Sequence, residues 1–290
     1  MSIINIVNGK TKVYGLIGYP ISHTLSPIIH NSIGNLMKNN MVYLPFEVSP
    51  EGLKKAIQGA YELNIKGLNV TVPHKQKVIP FLSKVEGYAK QIGAVNTLKW
   101  SKDGYIGYNT DAEGLLISLK ENNISIKDKS ILIIGAGGAA RATSMMIASQ
   151  SPKEIVIANR TLEKAEKLAK DVSLFYNIPV KSISLDTIDK NMYFDLCFQT
   201  TSVGMTPKED ESPIKNDDFF NQIKIAVDLI YTPSETLFLK KARKAGCKTL
   251  NGFGMLFYQA ARAYEIWNET VIPKEALEQL FRKIKNELEF

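Results

Sequence analysis

The sequence predicts an α/β protein of two domains, the second a doubly wound parallel sheet. Three observations carry this expectation. Short β-branched runs alternate with longer stretches of helical periodicity, the pattern of strands joined by helices. In the second half an apolar run, Ser130 to Ile134, leads straight into a glycine-rich turn and a helix, as a strand buried on both faces does. The 290 residues also exceed the roughly 150 typical of one domain.

Val13 to Ile17 reads as the first strand. Ser26-Pro27 opens a helix, with Ser26 as N-cap and Pro27 at the first helical position, where a missing N–H costs nothing. Met41 to Val48 is a second strand, and a helix follows from Pro50 with Leu53, Ala56, Ile57 and Ala60 on one face. Gly67 to Val72 makes a third strand, ended by Pro73. Ala94 to Trp100 and Gly104 to Tyr108 flank Ser101-Lys102-Asp103, a hairpin signal. Asp111 caps a helix from Ala112 to about Asn122, the linker between a first half ending near residue 110 and a second. After Ser130–Ile134, a helix runs from about Gly138 to Ser149, and Glu154 to Ala158 is the next strand. Leu162, Ala165, Leu168, Ala169 and Val172 form a helical stripe, and further strands are expected at Asp195 to Gln199 and Lys224 to Asp228. From Gly254 come two helices broken at Pro273, which on periodicity alone fit either half.

Composition narrows the function classes. Hydrophobic residues make up 44% and charged residues 22%, which excludes disordered and fibrous chains. The net charge of +7 is scattered, with no long basic run, and favours anionic small molecules over nucleic acid. Cys197 and Cys247 fit neither a zinc pattern nor a disulfide framework, which points to a reducing compartment. Met1 to Lys12 lacks the order of a signal peptide, and no stretch approaches the roughly 18 apolar residues of a membrane span, so a cytoplasmic location is expected.

Gly135-Ala136-Gly137-Gly138-Ala139-Ala140 matches G-x-G-x-x-A, the fingerprint of a Rossmann-type nucleotide-binding sheet. The first glycine permits the tight turn, and the second lets the main chain approach a pyrophosphate. Ala140 still allows close packing of helix on strand. The free N–H groups of the helix then face the phosphate oxygens. Selection for NAD places an acid at the end of the next strand, roughly 20 residues on. Here stand Asn159, Arg160 and Thr161, with Lys164 one turn later, an anion site suited to a 2′-phosphate. The plainer reading, a solvated helix start with stray bases, leaves the spacing unexplained. NADP is the expected cofactor.

Four polar clusters mark the first half. In Gly18 to Asn31, Thr24 and Ser26 flank a helix N-terminus, suited to a carboxylate, although capping alone explains Ser26. In Gly67 to Lys75, Thr71 precedes Pro73, and Lys75 sits past a strand end, where a solvated surface charge is the plainer reading. In Gly93 to Thr97, Asn96 and Thr97 lie on a strand and read equally well as solvated polar side chains. In Gly107 to Asp111 a carboxylate stands at the domain junction, and N-capping is the competing role.

These segments resemble the shikimate dehydrogenase family, in its order and across nearly the whole chain. They are H-T-L-S-P, N-V-T-x-P-x-K, G-A-V-N-T, N-T-D-x-x-G, G-A-G-G-A, N-R-T, D-x-x-Y-x-P and N-G-x-G-M-L-x-x-Q-A. The resemblance implies an N-terminal α/β substrate domain, residues 1–110, completed by helices 254–290, and an NADP domain over 111–253. It implies reduction of 3-dehydroshikimate to shikimate, with Lys75 and Asp111 as the catalytic pair and Lys75 as proton donor. Thr24 and Ser26 would hold the substrate carboxylate with Tyr231 nearby, while Thr71, Asn96, Asp111 and Gln259 would bind ring hydroxyls. Gly135, Ala136, Gly137, Gly138, Ala139, Asn159, Arg160, Thr161, Lys164, Thr201, Leu229, Gly252 and Met255 would line the NADP site. Two positions depart from the family: Thr24 stands where Ser is usual, and Lys164 where many members carry Arg. The implied partner is a small-molecule acid, with no metal, nucleic acid or membrane, for a monomer or homodimer. Two alternatives remain open. One is a quinate/shikimate dehydrogenase of broader substrate and NAD or NADP use, against which Arg160 speaks. The other is a non-catalytic dinucleotide-binding regulator, against which the presence of both Lys75 and Asp111 speaks.

Overall fold

The apolar runs of the first half join into one six-stranded sheet and those of the second half into another. The computed structural model describes residues 7–22, 24–188 and 191–290. His23 of the first polar segment, and residues 1–6 of the amino-terminal reading, lie outside them. The chain divides into two units, Met1–Gly114 with Leu256–Phe290, and Leu115–Met255. Among the described residues no helix is long and apolar enough to cross a membrane.

In the first unit the elements are β1 (Lys12–Gly18), α1 (Ser26–Leu36), β2 (Met41–Glu47), α2 (Leu53–Glu62), β3 (Gly67–Val70), β4 (Lys84–Val85), α3 (Tyr88–Ile92), β5 (Thr97–Ser101) and β6 (Gly104–Tyr108). Helix α4 (Thr110–Glu121) carries the chain across the division between the units. The second unit continues with β7 (Ser130–Ile134), α5 (Gly138–Ala148), β8 (Glu154–Asn159), α6 (Leu162–Ser173), β9 (Val180–Ser184), β10 (Phe194–Gln199), β11 (Ile223–Asp228), α7 (Leu237–Lys244) and β12 (Lys248–Leu250). Helix α8 (Phe253–Asn268) carries the chain back, and α9 (Lys274–Glu287) ends it.

The first sheet runs β2-β1-β3-β5-β6-β4. Strand β1 pairs in parallel with β2 and β3, and β5 pairs antiparallel with both β3 and β6. The apolar face of α2 explains one side of its core, where Leu53, Ile57 and Ala60 pack with Ile17, Leu68, Val70 and Leu98. An aromatic group forms elsewhere in this unit. Trp267 of α8 stacks on Tyr14 at 4.9 Å between ring centroids and donates its indole N–H to the Leu98 carbonyl at 2.9 Å. His30 stacks on Tyr43 at 4.0 Å, and burial pushes its pKa down to about 3, so the ring is neutral.

The second sheet is wholly parallel, in the order β12-β11-β10-β7-β8-β9. The first strand of this unit, β7, is therefore central, with helices needed on both faces, which is the doubly wound arrangement. Ile131, Leu132, Ile133 and Ile134 are all buried, as an uninterrupted apolar run requires.

Several local expectations need correction. Ser26 is the first helical residue rather than the cap: Leu25 holds that place, and Thr24 Oγ1 accepts the Ser26 N–H at 3.2 Å. Asp111 is inside α4 rather than capping it. Asn109 Oδ1 accepts the Ala112 N–H at 3.4 Å and so takes the capping role. The strand expected from Ala94 begins at Thr97, and the strand expected to reach Val72 ends at Val70. Strands β4, β9 and β12 and helices α3 and α7 have no counterpart in the sequence reading.

Candidate functional site

The loop after β3, the turn before β5, the first turn of α4 and helix α8 bring Lys75, Asn96, Asp111 and Gln259, four of the expected residues, into one polar network. Lys75 Nζ lies 2.6 Å from Asp111 Oδ2, with side chains 32% and 14% exposed, so the pair is reachable from solvent yet largely enclosed. Asn96 donates its amide to the other Asp111 oxygen at 2.8 Å. The same nitrogen lies 3.0 Å from Thr110 Oγ1 and 3.4 Å from Gln259 Oε1. Asn96 Oδ1 accepts the Thr110 N–H at 2.7 Å and the Thr97 hydroxyl at 3.0 Å. These bonds fix which end of the amide faces the carboxylate. Gln259 is held in turn by its donation to the Leu256 carbonyl at 2.9 Å.

The network extends further than the sequence suggested. Asn69 donates to Thr97 Oγ1 at 3.1 Å and accepts the Tyr43 hydroxyl at 2.8 Å. A continuous chain of side chains thus connects Tyr43 on β2 to Lys75. Asn96 and Thr97 are buried, which overturns their reading as solvated strand residues, and Lys75 is ion-paired rather than free on the surface. Thr71 is half-buried after β3, and among the described residues its hydroxyl joins no hydrogen bond of this network. Tyr43, Asn69 and Thr110 were missed as site residues. Asn69 and Thr110 stand within quoted segments, whereas nothing in the sequence distinguishes Tyr43 from an ordinary strand tyrosine.

The second unit carries the glycine turn at the end of β7. Gly135 has φ of +114°, a left-handed conformation that favours glycine, and it packs against Thr200 and Thr201. Gly137 and Gly138 face open space: a Cβ at either position would meet nothing. Protein packing therefore does not require these two glycines, whereas close approach of a ligand to the main chain would. Gly137 stands at the N-cap of α5 with no side chain bonded over the helix end, and Gly137, Gly138 and Ala139 are exposed. A cavity of about 900 Å³ opens beside the turn, lined in part by Gly135, Asn159, Arg160 and Thr201. Its lining also holds Asp186, Asp210 and Glu211, together with Lys215 and Lys241. Asn159 donates to the Thr161 carbonyl at 2.8 Å, which folds the strand end around Arg160. Thr161 is the N-cap of α6 but makes no capping bond with its side chain, and it and Lys164 are exposed outside the cavity lining. The donors and glycine cradle of this unit fit a dinucleotide.

Leu229 and Gly252 meet at the end of β11. Leu229 N–H donates to the Gln199 carbonyl at 3.0 Å, and Gly252 N–H to Ile230 at 2.9 Å. Tyr231 follows on the same turn, and burial pushes its phenol pKa up. Met255 is half-buried in the first turn of α8.

Comparison with known proteins gives consistent matches. Residues 16–98 match a family model described as the shikimate dehydrogenase substrate binding domain. Residues 118–205 match the shikimate / quinate 5-dehydrogenase model, and residues 252–280 the shikimate 5′-dehydrogenase C-terminal domain. The chain is 42% identical over 276 residues to shikimate dehydrogenase (NADP(+)) of Carboxydothermus hydrogenoformans, covering 94% of this chain and 97% of that one. A crystal structure of a shikimate dehydrogenase in complex with NADP+ is similar with a TM-score of 0.88 and 42% identity, covering 96% of this chain and 97% of that one. The Listeria monocytogenes shikimate 5-dehydrogenase, solved with shikimate and NAD, is similar with a TM-score of 0.87 and 33% identity, covering 96% of this chain and 99% of that one.

Proposed function

Because the chain belongs to the shikimate dehydrogenase family, we propose that it catalyses the reversible, NADP-dependent reduction of 3-dehydroshikimate to shikimate, on the route to chorismate and the aromatic amino acids. The observation that carries this reading is the Lys75–Asp111 pair, fixed from behind by Asn96 and flanked by Gln259. When bound, NADPH supplies the hydride that reaches the ketone carbon. Lys75 gives the proton that the developing alkoxide takes up, and its charge steadies that alkoxide as it forms. In the oxidative direction the neutral amine takes the hydroxyl proton back. Asp111 holds the ammonium in place and accepts a ring hydroxyl. Asn96 and Gln259 supply further polar groups for the ring, and Thr24, Ser26 and Tyr231 serve the carboxylate. The open cradle at Gly137 and Gly138 supports pyrophosphate binding, and Arg160 with Thr161 and Lys164 supports a 2′-phosphate. The two cysteines are free thiols, which suits a reducing cytoplasm.

The test is steady-state kinetics of Lys75→Ala, followed by the absorbance of reduced nicotinamide. The expected kcat falls by about 10²–10⁴-fold, the scale of a general acid or base, while the shikimate KM moves far less. A kcat near that of the wild type would refute the assignment.

A further inference from the structure

Asp228 belongs to the D-x-x-Y-x-P segment, yet no role above uses it. It ends β11 and is fully buried, at 0% exposure. Its Oδ1 accepts the Ile230 N–H at 3.0 Å, and its Oδ2 accepts the Thr236 hydroxyl at 2.7 Å. Thr236, itself buried, caps α7 by accepting the Leu239 N–H at 3.3 Å. Asp228 therefore ties both ends of the segment that carries Leu229, Ile230 and Tyr231. Two neighbours hold the same turn through the main-chain bonds of Gln199 and Gly252 described above. A Cβ at Gly252 would collide with the Leu229 carbonyl oxygen, so the turn has no slack on that side.

Among the described residues Asp228 has no ion-pair partner, and burial pushes its carboxyl up to about 7. A neutral carboxyl keeps both bonds, because one oxygen still accepts from Ile230 while the acid proton is donated to Thr236 Oγ1. A carboxamide of the same shape does likewise, and a methyl group does neither.

We propose that Asp228 is a positioning residue for the reaction, fixing the Leu229–Tyr231 turn through hydrogen bonding rather than through charge. This rests on the reading above, in which Leu229 serves NADP and Tyr231 serves the substrate carboxylate. The test compares full-length Asp228→Ala, Asp228→Asn and Thr236→Val with the wild type, and with Phe220→Leu as a core change of the same unit. NADP Kd is measured by calorimetry, shikimate KM and kcat by absorbance, and exchange of the Ile230 amide by mass spectrometry. Asp228→Ala is expected to raise the NADP Kd and the shikimate KM about tenfold each, the effect of roughly one lost hydrogen bond, and to deprotect the Ile230 amide. Asp228→Asn should stay within about twofold of the wild type and keep that amide protected. Phe220→Leu should lower the melting temperature and leave both constants in place. If Asp228→Ala does not fold, Thr236→Val, which removes a single hydroxyl, is expected to shift the same constants in the same direction. Unchanged constants in Asp228→Ala or, where that variant does not fold, in Thr236→Val would overturn the proposal, as would Asp228→Asn failing as badly as the alanine variant. A wild-type chain that neither binds NADP nor turns over shikimate would overturn the functional reading itself, and this inference with it.

Discussion

Replacing Asp228 by asparagine should change how the stability of this protein depends on pH. The carboxyl ionises near 3.8 in the unfolded chain and at about 7 in the folded one, because burial disfavours its charge. Below 3.8 both states are protonated and the contribution to stability is complete. Between these values the folded state keeps a proton that the unfolded chain has released, so stability falls as pH rises. Above about 7 both states are ionised and the contribution is gone. A tenfold difference in proton affinity is worth about 1.4 kcal/mol, so the loss across the window is at most about 4 kcal/mol. Glu86, Glu154 and Asp195 act in the opposite sense, since lysine partners hold their carboxyls low and their stabilisation is lost toward acid. They are common to both proteins and cancel in a difference. Urea unfolding of wild type and Asp228→Asn at about pH 4.5, 6 and 8 gives that difference directly. The variant should gain on the wild type by up to about 3 kcal/mol between the first and last of these, since at about pH 4.5 part of the contribution is already lost. Parallel pH profiles would refute the reasoning, because they would mean that Asp228 ionises alike in both states.

Arg160→Asp should lower the preference for NADP over NAD by at least about tenfold in kcat/KM, since an attraction to the 2′-phosphate becomes a repulsion. Unchanged discrimination would count against Arg160 as the phosphate contact. Asp111→Asn keeps the shape at α4 but removes the charge beside Lys75, so kcat and the shikimate KM should both worsen, with thermal melts showing only a small stability change. Gly252→Ala should cost about 1–3 kcal/mol in urea unfolding, because its methyl would collide with the Leu229 main chain rather than with a side chain that can turn away. Its NADP Kd should rise in parallel.

What was legible in the sequence follows from what each segment must bury. Strand β7 is enclosed on both faces, so its apolar run stands out, and the glycine turn after it is dictated by backbone geometry. Strand β9 lies at a sheet edge with half-exposed residues, which leaves neither an apolar run nor clean alternation to read. At α4 the capping error has a plain cause: Asn109, Thr110 and Asp111 are all able to cap, and composition does not rank neighbours of equal chemistry. At α1 the N-cap position falls on Leu25, with no side chain bonded over the helix end. The burial of Asn96 was hidden for another reason. Its partners Thr110 and Gln259 lie 14 and 163 residues further along the chain, and a polar residue reads as solvated until such partners are known.

The first unit is built from the two ends of the chain, with all of the second unit inserted between them. On the ribosome, its sheet strands emerge well before α8 and α9. Until then Tyr14 lacks the indole it stacks on, and the Leu98 carbonyl lacks the N–H that Trp267 donates. The contiguous second unit has all its strands in hand first, so the order of maturation runs against the order of synthesis for the part of the chain that leaves the ribosome earliest. A fragment ending before residue 256 leaves this aromatic group incomplete. An excised second unit, by contrast, keeps every strand of its sheet.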